Sequence, residues 1–185
     1  MKLQQKLISK STKKAEREGR DLALAGDDPY SFAQTVALHA LAPRARSRAE
    51  LHALLLKRGV SEENAISVLD NLELQGLLND LEFAQIWSDS RQRQKKLSKR
   101  VIAQELRHKG VAQDIIDETV DGIDDADEYQ MAFTLAEKKY RSVAHLDPEV
   151  AYRRIHSLLA RKGFGHGIVS RIMRQLIDGV PEEVE

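Results

Sequence analysis

The sequence predicts an all-α fold of three tandem three-helix repeats forming an elongated, curved array. Three observations carry this. The composition is that of a helical protein: 31% of residues are charged and 42% hydrophobic, but only 5% are aromatic. A sheet protein would be richer in aromatics and turn residues. Next, Gly59, Gly110 and Gly163 stand 51 and 53 positions apart inside one recurring pattern. Leu55, Leu106 and Leu159 lie four before them, and Leu51, Ile102 and Ile155 eight before. A base precedes each glycine (Arg58, Lys109, Lys162) and an apolar residue follows (Val60, Val111, Phe164). Val68-Leu69, Thr119-Val120 and Ile172-Met173 come nine and ten after. Third, Phe32-Ala33-Gln34 recurs as Phe83-Ala84-Gln85, with Met131-Ala132-Phe133 as a looser copy. So small a unit cannot bury its own apolar faces, and neighbours must stack.

The elements follow in order. Residues 1–27 read as a flexible basic tail with too few apolar residues to bury surface. Asp28-Pro29 starts a helix, as N-cap and first helical residue. Phe32, Ala33, Val36, Ala37, Ala40 and Leu41 share its inner face, and Pro43 ends it. Ser47-Arg48-Ala49-Glu50 is a capping box. Leu51, Leu54 and Leu55 continue that helix to Gly59, a glycine able to take the left-handed closing conformation. The helix is apolar nearly all round, so we expect something to cover it. Ser61 caps the next helix, where Ala65, Val68, Leu69 and Leu72 face inward until Gly76. Asp80 is expected to cap a helix bearing Phe83, Ala84, Ile86 and Trp87. The central pair runs from Ser98 through Ile102 and Leu106 to Gly110, then through Ile115, Ile116, Thr119 and Val120. Asp127-Glu128 is expected to open a helix with Met131, Ala132, Leu135 and Ala136, ending near Tyr140. Asp147-Pro148 repeats the Asp-Pro start, and Ile155, Leu158 and Leu159 lead to Gly163. Ile168, Val169, Ile172, Met173 and Leu176 carry the last helix. These marks give repeats at 28–78, 79–124 and 125–179, and an acidic tail at 180–185.

Several chemistries are excluded by what the chain lacks. There is no cysteine, hence no disulfide, thiolate metal site or cysteine nucleophile. Its six histidines include no pair three or four apart, so metal-ligand helical spacing is missing. No phosphate-cradling loop ends in Lys-Ser/Thr, and there is no Gly-x-Ser-x-Gly. Gly163-Phe164-Gly165-His166-Gly167 is glycine-rich, but it joins two helices and reads as a cap. We therefore expect no catalytic residue, metal or cofactor. No apolar run approaches the length that spans a bilayer, about 18 residues. The first residues lack the continuous apolar core of a signal peptide. The expectation is a cytoplasmic protein. Without a further apolar seam, it is expected to be a monomer.

Net charge is zero, but charge is unevenly placed. Between 91 and 109 lie Arg91, Arg93, Lys95, Lys96, Lys99, Arg100, Arg107 and Lys109 against one acid, Glu105. Residues 110–128 carry eight acids and no base. The two stretches can pair with each other or simply be solvated. Alternatively, the first can face DNA phosphates or an acidic protein surface. Arg100 and Arg107 are seven apart and share a face opposite Ile102 and Leu106. The equivalent positions are Ala49 and Leu56 in the first repeat, and Arg153 and Ala160 in the third. In a curved array, Arg100, Arg107 and Arg153 could line one surface. Trp87, the only tryptophan, is four from Phe83. Core packing is the plain reading for it, and base stacking the alternative.

Ser47-Arg48-Ala49-Glu50-Leu51, the run Gly76-Leu77-Leu78-Asn79-Asp80-Leu81-Glu82-Phe83-Ala84, then Glu105-Leu106-Arg107-His108-Lys109-Gly110-Val111, and finally Arg161-Lys162-Gly163-Phe164 occur here in order. Over roughly residues 28–178 the sequence resembles the RecX family of recombination regulators in these motifs and their spacing. Two departures stand out. The family often has glycine or proline before the central helix, where this chain has Leu97-Ser98. In the last repeat it often reads Gly-Phe-Ser, where this chain has Gly163-Phe164-Gly165, which weakens the final helix cap. The resemblance implies a non-enzymatic modulator that binds the RecA recombinase filament and usually inhibits its ATP hydrolysis and strand exchange. Weak, non-specific DNA binding can accompany that role. A direct DNA-binding helical-repeat protein is the alternative, since a helix, tight turn and helix resembles a helix-turn-helix. The expected contact residues are Arg91, Arg93, Lys95, Lys96, Lys99, Arg100, Arg107 and Arg153.

Overall fold

The computed structural model describes residues 28–178, and side chains through residue 176. Both sequence-defined tails, 1–27 and 180–185, lie outside these residues. Helices make up most of the described chain, and no strand occurs among the described residues. The chain divides into two compact units, Met1–Phe83 and Ala84–Glu185.

In the first unit, helix α1 spans Pro29–Leu41, α2 Arg48–Lys57 and α3 Glu62–Leu74. Each begins where a short polar side chain takes up an orphan amide. The Asp28 carboxylate accepts from Tyr30 and Ser31 N–H at 3.2 and 3.1 Å. Ser47 Oγ accepts from Glu50 N–H at 3.1 Å, and Ser61 Oγ from Asn64 N–H at 3.3 Å. The inward faces meet in a core of Ala33, Val36, Ala37, Leu51, Leu55, Ala65, Val68, Leu69 and Leu72. Each fully buried leucine there contributes about 1.5–3 kcal/mol over an exposed one. Asn71 donates to the Tyr30 hydroxyl at 2.9 Å and ties α3 to α1. On α2, Leu56 is 40% exposed. The cover expected over all sides of this helix is therefore not complete among the described residues.

Helix α4 covers Asp80–Ser90, and the division between the units falls within it. Asp80 does not act as its N-cap. Asn79 takes that position, its side-chain oxygen accepting from Glu82 N–H at 3.1 Å. Asp80 is then the first helical residue, and its carboxylate accepts the Arg48 N–H at 2.7 Å. Asn and Asp cap about equally well, so adjacent candidates cannot be ranked by type. On α4, Phe83, Ala84 and Ser88 are buried, whereas Ile86 is exposed.

In the second unit α4 ends in a π-helical turn, Arg91–Lys95. Helix α5 follows at Lys99–His108, α6 at Gln113–Asp121, α7 at Asp125–Val143, α8 at Pro148–Lys162 and α9 at His166–Met173. Helix α7 starts before the expected Asp127. Asp124 is its cap, accepting from Ala126 N–H at 2.6 Å. It also runs past Tyr140 because Val143 is still an inward, buried position. Ser98 caps α5 through Val101 N–H at 3.4 Å. Gly165, having no side chain, leaves α9 without a side-chain cap. Ile102, Leu106 and Ile116 are fully buried in the central pair, as are Ala132, Ala136, Ile155, Leu159 and Ile172 in the last three helices.

The start of α5 lies against the end of α8. Ser98 N–H donates to Lys162 O at 3.0 Å. Gly163, at φ +91°, closes α8 in the left-handed conformation. A Cβ at Gly163 would run into Val101 Cγ2 and Ser98 Oγ, so glycine is needed here for space as well as for backbone freedom.

Candidate interaction surface

The basic stretch from 91 to 107 occupies the end of α4, its π turn, the link 96–98 and α5. The expected contact residues part into two groups once their partners are known. Arg91 is turned inward, its side chain only 16% exposed. Its Nε donates to Glu105 Oε2 at 2.5 Å, and its guanidinium lies 3.7 Å from the Trp87 ring centroid. Glu105 also accepts from Trp87 Nε1 at 2.8 Å, and the Lys109 ammonium sits 4.0 Å from the same ring centroid. Two cations thus lie over the indole, and its polar edge is bonded to Glu105. That arrangement fits a packed corner between α4 and α5.

Lys99 is likewise engaged. Its ammonium pairs with Asp125 and its N–H donates to Glu128 Oε1 at 2.7 Å. A base in the first turn opposes the helix macrodipole, and these carboxylates offset that. Arg100 reaches the α8 end, where its Nε donates to Gly163 O at 3.2 Å. Arg107 turns instead to the first turn of α6, donating to Gln113 Oε1 at 2.9 Å. The two arginines thus serve different neighbours.

The outward group is Arg93, Lys95, Lys96, Arg107 and Arg153, all exposed. Arg93 makes a loose i,i+4 pair with Asp89 at 3.3 Å, its side chain 81% exposed. Such surface pairs contribute little and are readily exchanged. Lys95 and Lys96 make no ion pair among the described residues. Arg153 lies on the outer side of α8 in an open groove with Pro148, Glu149, Tyr152 and His156, where the Tyr152 and His156 rings stack at 6.0 Å. It precedes Gly163, where Arg100 is anchored, by ten residues, or about 15 Å of helix.

Between the basic and acidic stretches, pairing is partial. Lys99 bridges to Asp125, while Arg107 meets an amide and Arg91 an acid of its own stretch.

Sequence reading missed Lys162. Its ammonium donates to the carbonyl of Lys95, which brings a base of the third repeat to the basic segment of the second. The only signal was its place before the repeat glycine. Glu105 was counted only as the lone acid of the basic stretch and Glu128 only as part of a helix start, yet they hold Arg91, Trp87 and the Lys99 N–H. Among the described residues no group of three or more His, Cys, Asp or Glu is placed to hold a metal ion. No helix among them is long and apolar enough to cross a membrane.

Comparison with known proteins agrees with this architecture. The family descriptions "RecX, second three-helix domain" and "RecX, third three-helix domain" match residues 79–120 and 126–173. The regulatory protein RecX of Streptomyces coelicolor is 38% identical over 158 residues, covering 85% of this chain and 84% of the relative. That of Thermobifida fusca is 33% identical over 172 residues, 91% of this chain and 93% of the relative. That of Mycobacterium tuberculosis is 36% identical over 145 residues, 76% and 83%. The crystal structure of RecX from Lactobacillus salivarius superposes with a TM-score of 0.75 at 24% identity, over 83% of this chain and 99% of that one, a likeness of fold. With similarity sustained over most of its length and over that of its relatives, the chain belongs to the RecX family, regulatory proteins rather than enzymes.

Proposed function

We propose that this protein binds the RecA recombinase filament and inhibits its ATP hydrolysis and strand exchange, acting by binding alone. It would do so in the cytoplasm, as a monomer, with repeats at 28–78, 79–124 and 125–179 laid across neighbouring recombinase protomers. The observation that carries this reading is the outward group of cations around the link between α4 and α5. Lys95 and Lys96 are exposed without an ion pair, with Arg93 and Arg107 on the flanking elements. Unpaired cations held on a folded scaffold attract a polyanionic partner and lose little entropy in doing so. Lys99 and Arg91 then act in support, by keeping α5 and α4 in place, and Arg153 is a more distant contact.

The test is RecA ATPase on single-stranded DNA, with and without this protein. Inhibition is expected, and no change at excess protein over RecA would sink the proposal. Arg93→Glu with Arg107→Glu should weaken inhibition while the melting temperature holds. Arg100→Glu is less clean, because Arg100 also bonds the Gly163 carbonyl. The second reading is direct DNA binding, favoured by the lysines at 95, 96 and 162. Tight, sequence-selective binding of labelled DNA without RecA would favour it.

A further inference from the structure

In the first two repeats, the start of the middle helix is where the next repeat is met. Arg48 and Lys99 are the first residues of α2 and α5, and each stands eleven before its repeat glycine. The acid that accepts the Arg48 N–H, Asp80, comes 32 residues later, and the acid that accepts the Lys99 N–H, Glu128, comes 29 later. Each acid lies in the first turn of an opening helix, three before Phe83 or Met131. In the third repeat Tyr152 stands eleven before Gly163 and so holds the same place. Helix α8 begins a turn sooner, at Pro148, so the Tyr152 N–H is not an orphan amide. What this place presents instead is an open groove of about 570 Å³ lined by Pro148, Glu149, Tyr152, Arg153 and His156. Tyr152 is 43% exposed, and its ring stacks on that of His156. Arg153 is exposed and makes no ion pair among the described residues, although Glu149 stands four before it. Its guanidinium is available to a carboxylate from elsewhere.

The remaining sequence supplies one in the same register. Counted from Tyr152, intervals of 29 and 32 residues fall on Pro181 and Val184, which enclose Glu182 and Glu183. These positions belong to the acidic segment 180–185, outside the described residues. Its apolar members, Val180, Pro181 and Val184, match the Pro148, Tyr152 and His156 surfaces, and its acids, Glu182, Glu183 and Glu185, match Arg153. The last unit of a repeat array has no following neighbour to cover it, so a cap of its own is needed. We propose that residues 180–185 dock in the α8 groove of their own chain, with a Glu182 or Glu183 carboxylate on Arg153. The segment thereby takes the place that the next repeat's opening helix holds in the first two repeats, and shields Arg153 from an anionic partner. Arginine presents a planar fork that matches a carboxylate, which suits it to this contact. The shielding rests on the filament reading given above, whereas the docking does not.

The chain has no cysteine, so Glu185→Cys gives a single attachment point for a nitroxide spin label in the full-length protein. Docking predicts that the label broadens the amide NMR signals of residues 148–156 more than those of other exposed helical positions. Arg153→Glu, or E182Q with E183Q, should each abolish that broadening while the remaining amide signals keep their positions, which separates loss of docking from loss of the fold. No broadening at 148–156, or broadening that survives either change, overturns the docking. Broadening of an isotope-labelled, spin-free protein mixed with a spin-labelled one lacking the isotope assigns the contact to a second copy, and overturns it as well. The RecA ATPase assay then tests the shielding. The full-length E182Q/E183Q protein, without the spin label, should inhibit at about two- to fivefold lower concentration than wild type, the size expected from releasing one exposed ion pair. Equal inhibition by the two proteins overturns the shielding. Wild type without effect on RecA, beside the predicted broadening, defeats the filament reading and the shielding with it, while the docking stands.

Discussion

The carboxylate of Glu128, in the first turn of α7, accepts the backbone N–H of Lys99, in the first turn of α5, at 2.7 Å. The first unit has the same arrangement, where Asp80 of α4 accepts the Arg48 N–H of α2 at 2.7 Å. In both, an acid from the next repeat's opening helix completes the cap of a middle helix. The serine caps at 47 and 98 satisfy the third helical amide, and these acids satisfy the first. Local capping and repeat-to-repeat docking are thus joined in one hydrogen bond. Glu128→Ala should destabilise the protein by about 1–3 kcal/mol, by leaving the Lys99 amide without its partner in a largely buried place. Glu128→Gln, which keeps an acceptor, should cost less. Urea denaturation of the two variants checks the order, and equal losses would contradict the capping role.

Asp80 gives a pH-dependent prediction. Burial pushes its carboxyl above the ordinary value of 3.8, against the pull of the Arg48 amide bond. A carboxyl whose folded pKa is raised favours the fold most when protonated. That contribution is full below the unfolded pKa and is lost as pH rises through the folded one. Asp80→Asn keeps an oxygen for the Arg48 N–H and cannot ionise. Wild type should therefore lose stability relative to Asp80→Asn as pH rises from below 4 into the neutral range. Urea midpoints of both proteins across that range provide the measurement, and parallel curves would count against the burial effect.

Gly163 and Gly59 separate two reasons for glycine. Both have positive φ, +91° and +83°. A Cβ at Gly59 meets nothing within 4 Å, whereas at Gly163 it meets Val101 and Ser98. Gly59→Ala should cost about 1–2 kcal/mol, the strain of the left-handed conformation. Gly163→Ala should cost about 1–3 kcal/mol more, because α5 must move away from α8. Thermal denaturation of the pair reads the difference directly.

Trp87 reports on the α4–α5 corner. Glu105→Ala removes the acceptor of both Trp87 Nε1 and Arg91 Nε. We expect a loss of about 1.5–3 kcal/mol, as for hydrogen bonds to a charged group. Since Trp87 is the only tryptophan, its fluorescence should shift as the indole gains solvent. An unchanged spectrum would remove Glu105 from the corner. As a core reference, Leu106→Ala should cost about 2–5 kcal/mol, since Leu106 is fully buried.

Most of the helices were legible because their signals are local. Asp28-Pro29, Ser47, Ser61, Ser98 and Asp147-Pro148 cap as their types predict. Where two adjacent residues could cap, as at Asn79-Asp80, type alone did not choose. Helix α7 started at Asp125 rather than Asp127 for a similar reason, in a run of acids that each suit a first turn. The contact surface was less legible. Arg91, Arg93, Lys95, Lys96, Lys99, Arg100 and Arg107 look alike in a list of charges. Where their side chains have partners among the described residues, these lie 4 to 63 positions away, and only the Arg93–Asp89 pair follows helical spacing.

By itself the sequence determined an all-α chain of repeated three-helix units, because helical periodicity, caps and closing glycines act over a few residues. Only the tertiary structure decided which cations are engaged by neighbouring elements of the fold. Arg91 is fixed by Glu105, Lys99 by Asp125, and Arg100 by the Gly163 carbonyl 63 residues away. The physical reason is range. A backbone pattern is set within one turn, whereas the fate of a charge depends on which distant group folding brings to it.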